Sequence, residues 1–396
     1  MKNSFKPCVL SAVASVVLLS VGTTSLQAFA ECGPTSGPNQ TIICNGSSYT
    51  GGILYWIAAP SPIAPSILIL NNPNMIISGS GVHSGNRHSR TDDVTIQADA
   101  FQSISTTANG MRGVGMIAST AGDATIHVVG GSISTAGTWS GGMIPVGILA
   151  EVVGPSPSGR GAAVITLRDT NVTTHGTDVT AVLALAQNGN TYSSYEKASI
   201  DITNSIIRTT GAGGYGLYAS LSTPGNSSDS SIAVHGTSIV ETSGASSTGV
   251  VATSQAGLAK ISIDAGAQVI THGTGSYAIS ASSQAATGGV LINNAGTLIS
   301  EKANGIYAIG RDSGTTIINS GNIDGNISGI YAENKGKGVI AITQSAGNIT
   351  GRSVDGIYAV NNTTGTEITV KKRGRKEIEE VNKKNTKKKN KKRKKT

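Results

Sequence analysis

Gly305-Ile306-Tyr307-Ala308, Gly329-Ile330-Tyr331-Ala332 and Gly356-Ile357-Tyr358-Ala359 spell one four-residue unit three times, and the reading of that unit decides the fold. Looser copies precede it as Gly115-Met116-Ile117-Ala118, Gly147-Ile148-Leu149-Ala150, Ala181-Val182-Leu183-Ala184, Gly216-Leu217-Tyr218-Ala219, Gly249-Val250-Val251-Ala252 and Ala278-Ile279-Ser280-Ala281. Successive terminal alanines lie 32, 34, 35, 33, 29, 27, 24 and 27 residues apart. Nine copies in so narrow a range of intervals mark an internal repeat, the signature of a stacked solenoid.

Each interval holds two more strand-like segments. The first alternates with period two, as in Ala124, Ile126 and Val128 against Thr125 and His127, or Ala259, Ile261 and Ile263 against Lys260, Ser262 and Asp264. The second follows a Gly, Asn or Asp turn, as in Ser132-Ile133-Ser134, Asn171-Val172-Thr173 and Gln268-Val269-Ile270. Three strands per repeat predict an all-β, right-handed, single-stranded parallel β-helix. At a strand spacing of about 4.8 Å, about nine to ten coils make a rod of roughly 45 Å. Turns such as 154–161 and 187–196 absorb the variation in interval, which places them on the surface. Asn294-Ala295-Gly296 and Asn319-Ser320-Gly321 fall at equivalent turns, where Asn and Gly tolerate left-handed backbone angles.

In each unit Ile and Ala share a parity. If they face inward, Tyr218, Tyr307, Tyr331 and Tyr358 point outward along one sheet, either as part of a binding face or as rings that stack to shield it. Composition agrees with a narrow core. Aromatic residues are only 4% and charged residues 13% of the 396, too few large side chains for an ordinary globular interior of this length.

The first thirty residues read as a secretory signal, with Lys2 and Lys6 before an uncharged run from Cys8 to about Val21 and a small-x-small cleavage pattern at Ala28-Phe29-Ala30. A second uncharged stretch, 53–70, contains Pro60, Pro62 and Pro65 and is read as short strands joined by turns rather than a membrane helix. Removal of the signal leaves Cys32 and Cys44, an even pair expected to form a disulfide in an oxidising compartment; two unpaired thiols are the alternative. Two cysteines cannot make a four-ligand zinc site, and no metal or cofactor is implied. The expected organisation is a signal peptide (1–30), an N-terminal cap or irregular first coils (31–90), β-helix repeats (91–365) and a Lys-rich low-complexity tail, disordered or helical (366–396).

The net charge of +8 arises at one end, because residues 371–396 hold 15 Lys or Arg against 3 Glu. The rest carries 15 basic and 19 acidic side chains, so its electrostatics imply no specific nucleic-acid partner.

The signal peptide, the cysteine pair and the Gly-Ile-Tyr-Ala coils with Asn-x-Gly turns resemble the passenger domains of type V autotransporters, especially glycine-rich adhesin-like passengers. The resemblance covers about residues 1–365. It implies export to the periplasm, cell surface or medium, engagement with the outer-membrane translocation machinery, and adhesion to host matrix, a glycan or another cell-surface ligand. Family members end in a β-barrel translocator. Here the repeat pattern gives way after Gly365 to Lys and Arg runs, which reads as a truncated, non-functional member or as a basic tail that binds lipopolysaccharide, anionic lipid or nucleic acid by charge alone.

Parallel β-helices also host enzymes that act on polysaccharides, which is the alternative function. Such sites need clustered carboxylates. The adjacent pair Asp92-Asp93, with Arg90, His83 and His88 upstream, lies in a Gly- and Ser-rich run that reads as a loop. His175-Gly176, His235-Gly236 and His272-Gly273 resemble the His-Gly of pectinolytic enzymes but recur near strand ends, as a turn does. Arg311-Asp312-Ser313-Gly314 is a partial match to a protease nucleophile segment and also sits in a repeat turn. The expectation is therefore a non-catalytic display module.

Overall fold

Residues of one parity along every repeat are apolar or small, so each strand buries one face, and short strands with buried inner faces close into a three-sided coil. The computed structural model describes Cys32 and residues 41–56, 67–86, 93–107, 113–137, 146–153, 160–187, 195–222, 229–255, 257–284, 288–362 and 364–372. The signal segment with Ala28 and Ala30, and most of 366–396, lie outside them. Among the described residues thirty-four strands, β1 to β34 in chain order, form three parallel sheets of 12, 11 and 11 strands with neighbours three strands apart in sequence. This is the parallel β-solenoid expected from the repeat, and no α-helix occurs among the described residues.

The first coil is β1 (Thr41–Cys44), β2 (Ser48–Tyr49) and β3 (Ile53–Trp56). The eleventh is β31 (Ile340–Gln344), β32 (Ile349–Gly351) and β33 (Ile357–Asn361), and β34 (Ile368–Lys372) adds a last strand to the first sheet. Eleven full coils exceed the nine to ten expected. Two coils precede the nine marked units and carry the repeat unit as Gly52-Ile53-Leu54-Tyr55 and Gly81-Val82-His83-Ser84, in which Tyr55 and Ser84 replace the alanine and continue the register of Ala118.

The alanines form one ladder, since each of Ala118, Ala150, Ala184, Ala219, Ala252, Ala281, Ala308, Ala332 and Ala359 pairs with the next. Opposite them, Ile126, Ile165, Ile200, Ile232, Ile261, Ile292, Ile317 and Ile342 stack along the first sheet, at most 1% exposed. The small residue that opens each unit has a packing cause. A Cβ on Gly249 would stand 2.4 Å from Val269 Cγ1, because the second sheet's inward aliphatics press against the corner that leads to the third.

Two polar ladders close the corners. Thr106, Thr135, Thr174, Thr209, Thr242, Thr271 and Ser300 pair in register, all buried. Thr271 donates to the Ser276 carbonyl at 2.7 Å, and Ser300 to the same carbonyl at 2.8 Å. In the last coils Asn294 donates to Asn319 at 2.7 Å, and Asn319 to the Gly321 carbonyl at 2.9 Å. This corrects the expectation for the Asn-x-Gly turns: neither Asn294 and Asn319 nor Gly296 and Gly321 is left-handed. The asparagines instead point inward and satisfy the turn carbonyl. Gly321 is required by approach, since a Cβ there would lie within 1.9 Å of the Gly296 carbonyl oxygen.

At the N-terminal end Cys32 is joined to Cys44, with Cα atoms 4.7 Å apart, which ties Cys32 to the end of β1. Reduction is expected to lower stability by about 2–4 kcal/mol in urea titrations with and without reductant, mainly by freeing the unfolded chain. Within the stack, Ile261→Ala should cost about 2–5 kcal/mol by leaving a void. Gly249→Val should cost about 1–3 kcal/mol by overpacking, and both are read from the shift in urea midpoint.

Candidate functional site

The corners are unequal. Connections from the first sheet to the second are two to four residues long, whereas those entering and leaving the third sheet range from three to ten. Variation in connection length is therefore concentrated on both flanks of the third sheet.

The outward row of that sheet runs Leu54, His83, Ile117, Leu149, Leu183, Tyr218, Val251, Ser280, Tyr307, Tyr331, Tyr358. Its middle is apolar: Val114, Ile117, Val146 and Leu183 form a second cluster, separate from the interior, with Leu149, Leu185 and Tyr218 packed against it. His83 is 4% exposed in this row, and burial pushes its pKa down to about 4, so the ring is neutral at neutral pH.

Tyr307, Tyr331 and Tyr358 stack face to face with centroids 5.1 and 5.4 Å apart, and Tyr277, which the sequence reading missed, joins from the preceding turn at 4.6 Å. Stacking occupies the ring faces and leaves edges and hydroxyls outward. The stacked rings cover the sheet beneath them, and Tyr358, at the end of the stack, has a ring neighbour on one side only. Burial raises the Tyr307 and Tyr331 hydroxyls to about 12. Tyr218 stands apart from the stack and meets Tyr215 edge-on at 5.1 Å.

A groove of about 440 Å³ follows the exit from the third sheet, lined by Asp229, Leu258, Val290, Leu291 and glycine backbone. At this corner acidic side chains serve as interturn acceptors. The Asp123 N–H donates to Asp93 at 2.8 Å, Ala162 to Asp123 at 2.7 Å, Leu258 to Asp229 at 3.1 Å and Lys337 to Asp312 at 3.0 Å. Asp93 and Asp312, each weighed above as part of a catalytic candidate, thus fasten one coil to the next. Asp92, His88 and Arg90 lie outside the described residues.

The His-Gly pairs fall at two different corners. His175 and His272 follow second-sheet strands, and His235 ends a first-sheet strand. His235 stands between Asp264 at 2.7 Å and Asp201 at 3.7 Å, on the coils to either side. His272 lies between Glu301 at 2.9 Å and Glu241 at 3.1 Å, and Glu241 also takes Arg208 at 3.0 Å. This chain of charges crosses four coils. No signal in the local sequence announces it, because its members lie about one repeat apart. Among the described residues no group of three or more His, Cys, Asp and Glu could hold a metal ion.

The hydrogen bonds from Arg208 and then His272 hold the Glu241 carboxyl below its ordinary pKa. For His272, burial disfavours the charged ring, but the hydrogen bonds and charges of Glu241 and Glu301 together outweigh it and raise the pKa above 6.5. A histidine raised in the folded state contributes stability that is complete below its unfolded pKa and lost as pH rises through the folded one. Relative to His272→Gln, the thermal midpoint of the unmodified chain should therefore fall as pH rises above about 6.5, while His83, whose pKa is lowered, contributes the opposite slope to both.

No protein-family model matches this chain, and neither curated proteins nor solved structures give a match.

Proposed function

We propose that this chain is an exported passenger of the autotransporter type, whose solenoid displays the outer face of its third sheet to host matrix, glycans or other cell-surface ligands and acts by binding. The observation that carries this reading is the unequal corners. A rod that had only to fold could keep every connection short, as it does between the first and second sheets. Length variation beside one face is the usual arrangement of a recognition surface on a repeat scaffold.

Three further features support it. The Cys32–Cys44 bond suits an oxidising compartment, in keeping with the secretory reading of residues 1–30. The half-buried Leu149, Leu185 and Tyr218 pack on a buried apolar cluster, Val114, Ile117, Val146 and Leu183, outside the main core, which gives the outward side of this sheet an apolar anchor for its long connections. Asp93, Asp312, His235 and His272 all make cross-coil bonds, so their side chains have a structural use that requires no catalytic role.

Binding of the purified chain to cultured epithelial monolayers tests the reading. Leu185→Asp and Tyr218→Ser, on the third sheet, should reduce binding at least tenfold, equivalent to about 1.4 kcal/mol. Lys260→Glu, on the outer face of the first sheet, should leave it unchanged. Equal effects from both sheets, or release of new sugar ends from an acidic polysaccharide, would show the reading to be wrong.

A further inference from the structure

The two ends of the solenoid differ. At the N-terminal end β1, β2 and β3 are the terminal strands of their sheets, yet Ile42, Cys44, Tyr49, Ile53 and Tyr55 are at most 6% exposed, and Cys32 packs against them. At the other end the inward residues of the terminal strands are only partly buried: Ile349, Ile357, Ala359, Ile368 and Val370. Their partners one coil earlier, Ile323, Ile330, Ala332, Ile340 and Ile342, are at most 1% exposed.

This end also leaves an aromatic stack unfinished. Tyr307 and Tyr331 each have a ring on both sides, while Tyr358 has one neighbour and is 41% exposed. Val354, in the corner just before β33, is 57% exposed. Three unpaired strand edges around half-covered aliphatics form a template for further strands. The occupant must itself present backbone edges and apolar inner faces at the strand spacing. Residues 373–396 of the chain cannot provide that pattern, because they hold only Ile378 and Val381 among long runs of Lys, Arg, Asn and Glu.

We propose that two copies of this chain associate end to end through β32, β33 and β34, related by a two-fold axis that passes between β33 and its counterpart. Pairing β33 antiparallel with its counterpart places Tyr358 against Tyr358 of the second copy, continues the ring stack across the junction and keeps Ile357 and Ala359 facing inward. The inward residues of the first coil are already buried, so the open end gains more by meeting a second open end than by head-to-tail growth, and the assembly closes at two. The Lys- and Arg-rich segment 371–396 begins in β34, at the same end. Two such segments repel, and salt screens that repulsion. This inference is independent of the display reading.

Sedimentation velocity on the purified chain, from about 1 to 100 µM and at about 0.15 and 0.5 M NaCl, tests it. The expected result is a monomer–dimer equilibrium that stops at the dimer and strengthens with salt. Tyr358→Lys, at an outward and exposed position, should weaken association at least tenfold while the β-sheet circular dichroism is kept. As a second readout, Tyr358→Cys should give a disulfide-linked dimer under mild oxidation, and Thr125→Cys, on the first sheet far from the junction, should not. A monomer under every condition, growth beyond the dimer, or association untouched by Tyr358→Lys would overturn the proposal. So would association that weakens with salt, which would assign the contact to the charged segment.

Discussion

Every inward side chain in this molecule rests on the side chain at the same position one coil away, and that in-register self-contact is the constraint on which the rest depends. At a strand spacing of about 4.8 Å a residue must pack against its own kind on both sides. Ala, Ile, Val and Thr do so at little entropic cost, whereas the large aromatics of the core, Tyr49, Tyr55 and Phe101, are confined to the first coils. The scarcity of Phe and Trp is thus a consequence of the cross-section. The glycine that opens most repeat units follows from the same constraint, since the corner beside it is already filled by a Val or Ile such as Val269.

Polar groups obey the rule as well. Threonine hydroxyls stack where the second sheet turns toward the third, and asparagines stack where the first sheet ends in the last coils. At Thr271, Ser300 and Asn319 the side chain donates to a buried carbonyl of a turn. Outside, the same stacking brings His235 and His272 between carboxylates of adjacent coils, so residues about thirty positions apart behave as neighbours.

The architecture was legible in the sequence because a strand's period of two and the alanine spacing are both local patterns. Inward and outward parity followed from them, down to the facing of Tyr307 and Tyr331. The first two coils were harder, since Tyr55 and Ser84 stand where the ladder has alanine and remove the mark by which coils are counted. The role of Asn294 and Asn319 was misread because a side chain that bonds to its turn from within leaves the same Asn-x-Gly string as one that adopts a left-handed angle. The ion network was invisible for another reason: its partners become apparent only once the register between coils is known. At the candidate site, the apolar row from Ile117 to Val251 could have been found by aligning the units and reading their third position.

Nuclear Overhauser contacts among alanine methyl groups test the central claim most directly. With alanine methyls labelled, Ala219, Ala252, Ala281, Ala308 and Ala332 should each show cross-peaks to the next in that series, at the spacing of adjacent strands, and none to the one after. A pattern that lacks these contacts, or that links the alanines in the order of an antiparallel sandwich, would contradict a stack of parallel coils.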